Sequence, residues 1–429
     1  MERRVTSPRS LQGEVTVPGD KSISHRAVLF NALADGRAHI RNFAPGQDCR
    51  STVACLRGLG VEVEESQPGV IVVEGAGLQG LKEPGDVLDA GNSGTTIRLL
   101  TGVLAAQPFL SIVTGDGSLR SRPMGRIIQP LRLMGAQIWA RGGDSLAPLA
   151  IHGRPLQGVR HRLPVASAQL KSCLLLAGLF ATGETVVEEP AASRDHTERL
   201  LRAMGADLHS QGNVVTVRPT KALRPLDIEV PGDISSAAPW LVAGAVHPHA
   251  RVTIKGVGVN STRTGIIDIL REMGARITLS GQRDVGGEPV ADLTVESSAL
   301  RGHEEIAGAL IPRAIDELPL VALAACFANG KTVIRDAQEL RVKESDRVAV
   351  TAQELRRLGA RIEERPDGMV VQGPIPLRGA LGESHGDHRL AMLLGVAGVL
   401  AGGESVVSGA ADVAVSYPGF WDDLASLSR

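Results

Sequence analysis

Apolar positions recur with a helical period in short stretches, and five of these stretches end on the same signal. Leu or Met, then Gly, then Ala or Val stands at Leu59–Val61, Met134–Ala136, Met204–Ala206, Met273–Ala275 and Leu358–Ala360. Apolar residues three apart upstream of each signal predict a helix, and a glycine at this point is typical of a helix C-terminus. A strand-like run follows each signal, so the pattern predicts alternating helices and strands.

A polar loop followed by an apolar helix begins each of six units, spaced by about 70 residues. The segments are PGDKSISHRAVLFNAL, DAGNSGTTIRLLTGVL, PVASAQLKSCLLLAGL, PGDISSAAPWLVAGAV, PRAIDELPLVALAACF and ESHGDHRLAMLLGVAGVL. A strand follows each helix, in the runs HIRNF, LSIVTG, ETVVEE, RVTIKG, KTVIRD and ESVVSG. A second helix and one or two further strands complete a unit, which predicts an α/β protein built from repeated subfolds.

The length of 429 residues suggests about two or three domains. The third unit ends near Arg218, and the Pro- and Lys-rich stretch PTKALRPLDIEV that follows is the best linker in the chain. We therefore place one crossover near residues 228–231, and a second near residues 18–20 provided that the first strand pairs with the later half. The predicted domains are residues 20–229, with three units, and residues 1–19 plus 230–429, with three more.

Composition excludes several classes of protein. With 46 Lys and Arg against 47 Asp and Glu, the net charge of −1 gives no overall attraction to nucleic acid or to an anionic membrane. The four cysteines show no C-x-x-C pairing, so neither a zinc site nor a disulfide framework is indicated. The start MERRVTSPRS lacks the apolar segment of a signal peptide, and the apolar runs are too short to span a bilayer. These features predict a cytoplasmic protein with no nucleic-acid or membrane partner.

Candidate chemistry lies in the polar loops. Lys21, Ser22 and Arg26 crowd a Pro-Gly turn at a helix start, where unpaired amides, the helix dipole and cations favour phosphate or carboxylate. The small residues of GNSGTT, including Asn92 and Gly94, let backbone amides approach an anion. The alternative for both loops is an ordinary solvated helix cap.

The next loops leave the same alternatives open. Arg122, in GDGSLRSRPMGR, fits either a fork for an anion or a surface loop. Ser167, Ala168 and Gln169 stand at a helix start, where capping is the simpler explanation unless an anion binds nearby. A metal role for His196, or for the histidines of SHGDHR, is poorly supported because a cluster of ligands is missing.

The fifth unit combines carboxylates and cations in an apolar setting. Asp316 opens one helix, and Lys343, Glu344 and Arg347 open the next. Glu344 and Arg347 could form only a solvated surface pair. If the units share a subfold, however, these loops converge with the earlier ones on one cleft, which would bind a multiply anionic small molecule and keep Asp, Glu and Lys for proton transfer.

Taken together and in order, GDKSISHR, GNSGTT, SRPMGR, ASAQ, RVKESDR and DHR resemble the EPSP synthases (3-phosphoshikimate 1-carboxyvinyltransferases) of the enolpyruvyl transferase family, across nearly the whole chain. The resemblance implies a two-domain inverse α/β barrel of six βαβαββ repeats, three plus three, joined by two hinge crossovers. It implies transfer of the enolpyruvyl group of phosphoenolpyruvate to the 5-hydroxyl of shikimate 3-phosphate, by a monomer that uses no metal or cofactor and is inhibited by glyphosate.

The resemblance also implies residue roles. Asp316 accepts the hydroxyl proton, and either Lys21 or Glu344 protonates the methylene carbon. Phosphoenolpyruvate is held by Lys21, Asn92, Gly94, Arg122, Gln169, Arg347 and Arg389. Shikimate 3-phosphate is held by Lys21, Ser22, Arg26, Ser167, Ala168, Gln169, Arg194, Asp316 and Lys343.

The chain departs from many family members at three places, which resembles a divergent bacterial class. Ser167-Ala168-Gln169 replaces Ser-Ser-Gln, Glu339 replaces an Asn, and residues 413–418 lack a Lys. Gly94 is the small residue that glyphosate-sensitive members carry, so we expect at least partial sensitivity, raised by Gly94→Ala.

Two rival functions stay open. The related UDP-N-acetylglucosamine enolpyruvyl transferases have a Cys shortly before the Arg-Pro pair, which is absent ahead of Arg122, and a Lys-Asn pair in place of Lys21-Ser22. An inactive anion-binding homologue would have no use for Asp316 or Glu344, since carboxylates repel anions.

Overall fold

The computed structural model describes residues 1–428 as a mixed α/β protein. The first half contains β1 (Glu2–Thr6), β2 (Leu11–Thr16), α1 (Lys21–Ala32), β3 (Asp35–Arg41), α2 (Gln47–Gly58), β4 (Glu62–Gln67), β5 (Val70–Ala76), β6 (Leu88–Asp89), α3 (Gly94–Leu104), β7 (Leu110–Thr114), α4 (Gly125–Leu133), β8 (Gln137–Ala140), the short turn α5 (Arg141–Asp144), β9 (Leu146–His152), β10 (Arg160–Arg162), α6 (Ala168–Gly178), β11 (Thr185–Glu188), α7 (His196–Ala203), β12 (Leu208–Gln211), β13 (Val214–Val217) and β14 (Ile228–Glu229).

The second half contains α8 (Ile234–Val246), β15 (Ala250–Gly258), α9 (Gly265–Glu272), β16 (Arg276–Val285), β17 (Glu288–Glu296), α10 (Leu310–Ala314), α11 (Leu318–Phe327), β18 (Gly330–Ile334), α12 (Arg347–Arg357), β19 (Arg361–Arg365), β20 (Gly368–Gly373), β21 (Leu381–Glu383), α13 (His388–Leu400), β22 (Glu404–Ser408) and α14 (Phe420–Leu427). Short 3-10 helices lie at Leu119–Ser121, Gln338–Val342 and Ala410–Val415. The six predicted strand runs all fall on strands, namely β3, β7, β11, β15, β18 and β22.

Contacts between Cα atoms divide the chain into two units, which we call the N-unit and the C-unit. The N-unit comprises Gly19–Val230 together with Val285–Glu288, the turn between β16 and β17. The C-unit comprises Met1–Pro18, Pro231–Asp284 and the described chain from Pro289 onward.

The N-unit contains three sheets of one design. Their strand orders are β14-β3-β5-β4, β6-β7-β9-β8 and β10-β11-β13-β12. In each sheet the first pair is parallel and the following pairs are antiparallel. Helices α1, α3 and α6 are buried on nearly all sides, as expected for helices that are apolar all round. At Gly102 a Cβ atom would lie 2.2 Å from the carbonyl oxygen of Cys173, so only glycine permits the close packing of α3 on α6.

The C-unit also has three sheets and three buried helices, α8, α11 and α13, which pack against one another. Its sheets have the orders β16-β17-β15-β2, β18-β20-β19 and β1-β22-β21. β2 pairs in parallel with β15, and β1 pairs antiparallel with β22. The N-terminal strands therefore complete sheets made by the later half of the chain.

Two sets of helices carry different end signals. The five signal glycines follow α2, α4, α7, α9 and α12 and have φ between +82° and +100°, which confirms them as left-handed helix stops. In the other set, side chains of Asp20, Ser93, Ser167, Asp233 and Asp387 accept hydrogen bonds from the first-turn amides of α1, α3, α6, α8 and α13. The predicted functional loops therefore lie at helix N-termini.

Two absences apply to residues 1–428. No helix in this part of the chain has the length and apolar character needed to cross a lipid bilayer. All four cysteines are buried, and no disulfide joins any of them.

Candidate active site

The N-terminal ends of α1, α3 and α6 bring together most of the site residues predicted in the N-unit. Lys21 and Ser22 begin α1, Gly94 begins α3, and Ala168 and Gln169 begin α6. The partial positive charge of a helix N-terminus favours an anion near these residues.

Gln169 links α6 to α3. Its side-chain oxygen accepts a hydrogen bond from Arg98 Nη1 at 2.6 Å, and its Nε2 donates to Thr95 Oγ1 at 2.9 Å. The structure thus joins two predicted loops that lie 71 residues apart in sequence.

Lys21 forms an ion pair with Asp48, at the start of α2. The distance from Lys21 Nζ to Asp48 Oδ2 is 2.9 Å, and both side chains are largely buried. The carboxylate orients the ammonium group and balances part of its charge.

His25, in the same motif, is fully buried and neutral. Burial lowers its pKa to about 3, and the charges of Lys21 and Arg26 act in the same direction while Asp48 opposes them. Nδ1 of His25 lies 2.6 Å from Thr52 Oγ1, so the ring takes part in a chain of hydroxyl contacts behind the loop. It is not a proton carrier near neutral pH.

Arg26 ties α1 to two other helices. Nε donates to Thr197 Oγ1 at 2.7 Å, Nη2 to Ser172 Oγ at 2.8 Å, and Nη1 to the carbonyl oxygen of Ser22 at 2.9 Å. Burial lowers the pKa of Arg26 to about 10 and the charge of Glu198 opposes this shift, so the group stays protonated at neutral pH. Arg194 lies close enough to Arg26 to lower the same pKa.

Arg122 lies beside the GNSGTT loop. Nη2 donates to Asn92 Oδ1 at 2.5 Å and to Ser118 Oγ at 3.1 Å, and Nη1 donates to the Asn92 carbonyl oxygen at 3.2 Å. A Cβ atom on Gly94 would lie 3.5 Å from Arg122 Nη1 and 2.6 Å from Arg98 Nη1. Gly94, at the start of α3, therefore lies close to the guanidinium groups of both Arg98 and Arg122.

Sequence reasoning assigned no role to Arg98 or Ser193. Arg98 ends the motif GNSGTTIR, four residues after Gly94, and this helical spacing is the signal that could have identified it. The buried hydroxyl of Ser193 has no hydrogen-bond partner among residues 1–428, and it directly precedes Arg194.

In the C-unit, Arg347 is the centre of a second cluster. Its Nε and Nη2 donate to the two oxygens of Asp387 at 2.7 and 3.2 Å, Nη1 donates to Asp316 at 3.2 Å, and Nη2 donates to Glu344 at 2.6 Å. Its side chain is only 1% exposed, so the interpretation of Glu344 and Arg347 as a solvated surface pair is wrong. Asp316 and Asp387 come from the residues just before α11 and α13.

These contacts set the charge of the cluster. Burial lowers the pKa of Arg347, but the charges of Asp387, Glu344 and Asp316 outweigh it and raise the pKa well above its usual value. Burial likewise raises the pKa of Asp387, and the neighbouring Arg347 reverses the sign and lowers it. The guanidinium of Arg347 and the carboxylate of Asp387 are thus charged together.

Asp316 lies just before α11 among cations. Lys343 Nζ lies 3.4 Å from its Oδ1, and Arg389 Nη2 lies 3.8 Å from its Oδ2. Arg389 stands in the first turn of α13, whose N-cap is Asp387. A carboxylate held beside an ammonium group can exchange protons with a substrate hydroxyl.

The two clusters therefore offer different chemistry. Cations and helix N-termini in the N-unit suit phosphate and carboxylate groups, and the carboxylates of the C-unit add groups for proton transfer. Among residues 1–428, no three His, Cys, Asp or Glu side chains come together in a way that could hold a metal ion. Such a mixed α/β protein has the features of an enzyme acting on small anionic substrates.

Comparison with known proteins shows which family of such enzymes the chain resembles. Residues 5–424 match the EPSP synthase family, described as 3-phosphoshikimate 1-carboxyvinyltransferase. Proteins of that name from Desulforudis audaxviator and Herpetosiphon aurantiacus are 56% and 53% identical, covering 100% of this chain and 99% and 100% of their own lengths. The structure of EPSP synthase from Acinetobacter baumannii superimposes with a TM-score of 0.88 at 44% identity, covering 100% of this chain and 98% of that one. The chain belongs to the EPSP synthase family.

Proposed function

We propose that this chain transfers the enolpyruvyl group of phosphoenolpyruvate to the 5-hydroxyl of shikimate 3-phosphate, giving 5-enolpyruvylshikimate 3-phosphate and phosphate. Similarity over the full length to proteins named for this activity supports the proposal. The structural observation that carries it is Asp316, which lies beside Lys343 and Arg389 in the C-unit. A general base amid cations is what an attacking hydroxyl on a multiply anionic substrate needs.

The reaction is an addition followed by an elimination. Asp316 takes the proton of the 5-hydroxyl while the hydroxyl oxygen bonds to carbon 2 of phosphoenolpyruvate, and the methylene carbon gains a proton. The bond between carbon 2 and the phosphate oxygen of the tetrahedral adduct then breaks, and phosphate leaves. Loss of a proton from the new methyl group restores the double bond.

Two residues remain candidates for the proton donor to the methylene carbon. Lys21 is held by Asp48 in the N-unit, and Glu344 is held by Arg347 in the C-unit. Both are oriented by an ion pair, as a proton-transfer group requires. The proposal needs groups of both units to act on the same two substrates.

Each substrate carries a phosphate and a carboxylate, which several cations would balance. We assign phosphoenolpyruvate to Lys21, Asn92, Gly94, Arg122, Gln169, Arg347 and Arg389. We assign shikimate 3-phosphate to Lys21, Ser22, Arg26, Ser167, Ala168, Gln169, Arg194, Asp316 and Lys343. In both sets the arginines supply planar forks that match these anions.

The finer architecture and setting are part of the proposal. We infer six βαβαββ repeats, three in each domain of an inverse α/β barrel, and hinges that close over the substrates. A closed site would exclude water from the reacting groups. We further propose a monomeric cytoplasmic enzyme that is sensitive to glyphosate.

The deciding experiment measures phosphate release from phosphoenolpyruvate with purified protein. We expect release with shikimate 3-phosphate as the acceptor and none with UDP-N-acetylglucosamine. A mixture without an acceptor gives the background. Release with the nucleotide sugar alone would reassign the chain to the related transferase, and no release with either acceptor would favour an inactive anion-binding homologue.

A further inference from the structure

A buried charged cluster, which we call the Lys171 cluster, lies behind the N-unit loops. Lys171 Nζ lies 2.8 Å from Glu189 Oε2 and 2.7 Å from Glu198 Oε1. The three side chains are only 2–3% exposed. Lys171 is in the first turn of α6, Glu198 is in the first turn of α7, and Glu189 directly follows β11.

This cluster holds the backbone of two predicted substrate loops. Glu189 Oε1 accepts a hydrogen bond from the Ser167 amide at 3.2 Å, and Oε2 accepts one from the Ser193 amide at 3.4 Å. Lys171 Nζ also donates to the carbonyl oxygen of Ser193 at 3.5 Å. The Glu189 carboxylate therefore connects Ser167, which caps α6, with Ser193, which precedes Arg194.

Stability alone is a weak reason for such a cluster. Buried ion pairs are often no more stabilising than apolar side chains of similar size, because desolvation offsets their attraction. Burial lowers the pKa of Lys171, yet the charges of Glu198 and Glu189 outweigh it and raise that pKa, so Lys171 stays charged. What apolar residues could not supply is the pair of directional hydrogen bonds to the Ser167 and Ser193 amides.

We infer that Lys171 and Glu189 are positioning residues that hold the Ser167 loop and the Ser193–Arg194 loop at the spacing needed for the phosphate of the acceptor substrate. The inference rests on the proposed function, which gives both loops the same ligand. Neither residue contacts the reacting atoms of the proposed enolpyruvyl transfer. Their effect is on binding of the sugar phosphate, not on phosphoenolpyruvate or on chemistry.

The test compares Glu189→Gln with Glu188→Gln. Gln at 189 keeps one acceptor oxygen but replaces the other by an NH2 group, which only donates. It therefore cannot accept from both the Ser167 amide and the Ser193 amide. Glu188 is the matched control, since the same change falls one residue away on a side chain that is 34% exposed and pairs with Arg160 and Arg162. We expect KM for shikimate 3-phosphate to rise about tenfold or more in Glu189→Gln. KM for phosphoenolpyruvate and kcat should stay within about twofold, as should all three constants of the control.

Other outcomes overturn the inference. A folded Glu189→Gln protein with an unchanged KM for shikimate 3-phosphate, or with equal rises in both KM values, would show a structural role only. If this variant does not fold, the double variant Lys171→Gln with Glu189→Gln, which removes one charge of each sign and so keeps the net charge of the cluster, must show the same split in KM. Failure of both to fold would make the cluster a requirement of folding and would also overturn the inference. Absence of turnover in the unmodified protein would instead reject the proposed function.

Discussion

The two units hold their buried arginines in different ways. In the N-unit, hydroxyl and carbonyl oxygens accept the hydrogen bonds of Arg26, and Asn92 and Ser118 accept those of Arg122. In the C-unit, Arg347 donates to three carboxylates. Neutral acceptors orient a guanidinium without cancelling its charge, whereas carboxylates cancel it.

The difference gives the two clusters different main tasks, and we also assign Arg347 and Arg389 of the C-unit to phosphoenolpyruvate. Oriented positive charge favours the phosphate and carboxylate of a substrate. A balanced cluster keeps a carboxylate such as Asp316 in place for a proton without adding a large positive field. The following predictions test whether the two clusters have these separate tasks.

Removal of the Asp316 carboxylate should have the largest effect. Asp316→Asn keeps the shape of the side chain but withdraws the proposed general base, so we expect kcat to fall by about a hundredfold to ten-thousandfold. Titration calorimetry with shikimate 3-phosphate should still detect binding. In the N-unit, Ser22→Ala should instead raise the KM for shikimate 3-phosphate with a smaller change in kcat. Near-normal turnover of Asp316→Asn would remove Asp316 from the mechanism.

Removal of an arginine should affect stability differently in the two units. Arg347→Met leaves Asp387 buried without its main counter-charge, and we expect a loss of about 3–5 kcal/mol in the free energy of unfolding. Arg122→Met removes hydrogen bonds to neutral oxygens of Asn92 and Ser118, so its loss should be about 1–2 kcal/mol. Denaturant unfolding of both variants measures the difference. Equal losses would contradict the contrast between the clusters.

The buried His25 predicts an acid-sensitive N-unit. Its pKa falls from 6.5 in the unfolded chain to about 3 when folded, so the unfolded state binds the extra proton between these values. The stabilisation is complete above about pH 6.5 and is lost as the pH falls, by about 2 kcal/mol at pH 5. His25→Asn should remove this loss of stability at low pH, because Asn does not titrate, while its side-chain amide keeps a polar group near Thr52.

The measurement is the change in free energy of unfolding between pH 7 and pH 5. His152→Asn, at an exposed position on β9, is the control and should behave as the unmodified protein does. If the His25 variant loses as much stability as the unmodified protein, the neutral buried ring is refuted.

Gly94→Ala should have the smallest effect. The added methyl group would lie 2.6 Å from Arg98 Nη1, so the end of that side chain, which donates to Gln169, must shift. Because a side-chain end can shift, we expect a cost of about 1 kcal/mol, or about fivefold, in binding at this point. Inhibition by glyphosate should change by more than KM for phosphoenolpyruvate does. Unchanged inhibition would count against a site for the inhibitor beside Gly94.

Local features were predictable because neighbouring residues decide them. Met134-Gly135-Ala136 ends a helix since only glycine readily adopts the positive φ found there. The run LSIVTG forms β7, and Ser167 caps α6, as their patterns indicated. Charged loops could likewise be assigned to helix starts from sequence alone.

Contacts between distant residues were not predictable. Arg98 meets Gln169 across 71 positions, and Arg347 meets Asp387 across 40. Lys171 and Glu189 gave no signal at all, because a lysine in an apolar helix and a glutamate after a strand are individually ordinary. Burial of Arg347 depends on α11 and α13, which the local charge run RVKESDR does not contain.

The amino-acid sequence by itself determined the helices, strands, caps and turns, and it placed cations at helix N-termini, because periodicity and backbone preference act over a few residues. Only the tertiary structure decided which cation meets a carboxylate and which meets a neutral oxygen. That choice sets burial and charge balance, and these depend on packing between helices far apart in the chain. The net charge of −1 therefore does not reveal that the N-unit has a cluster of oriented cations while the C-unit has a cluster whose cations are balanced by carboxylates.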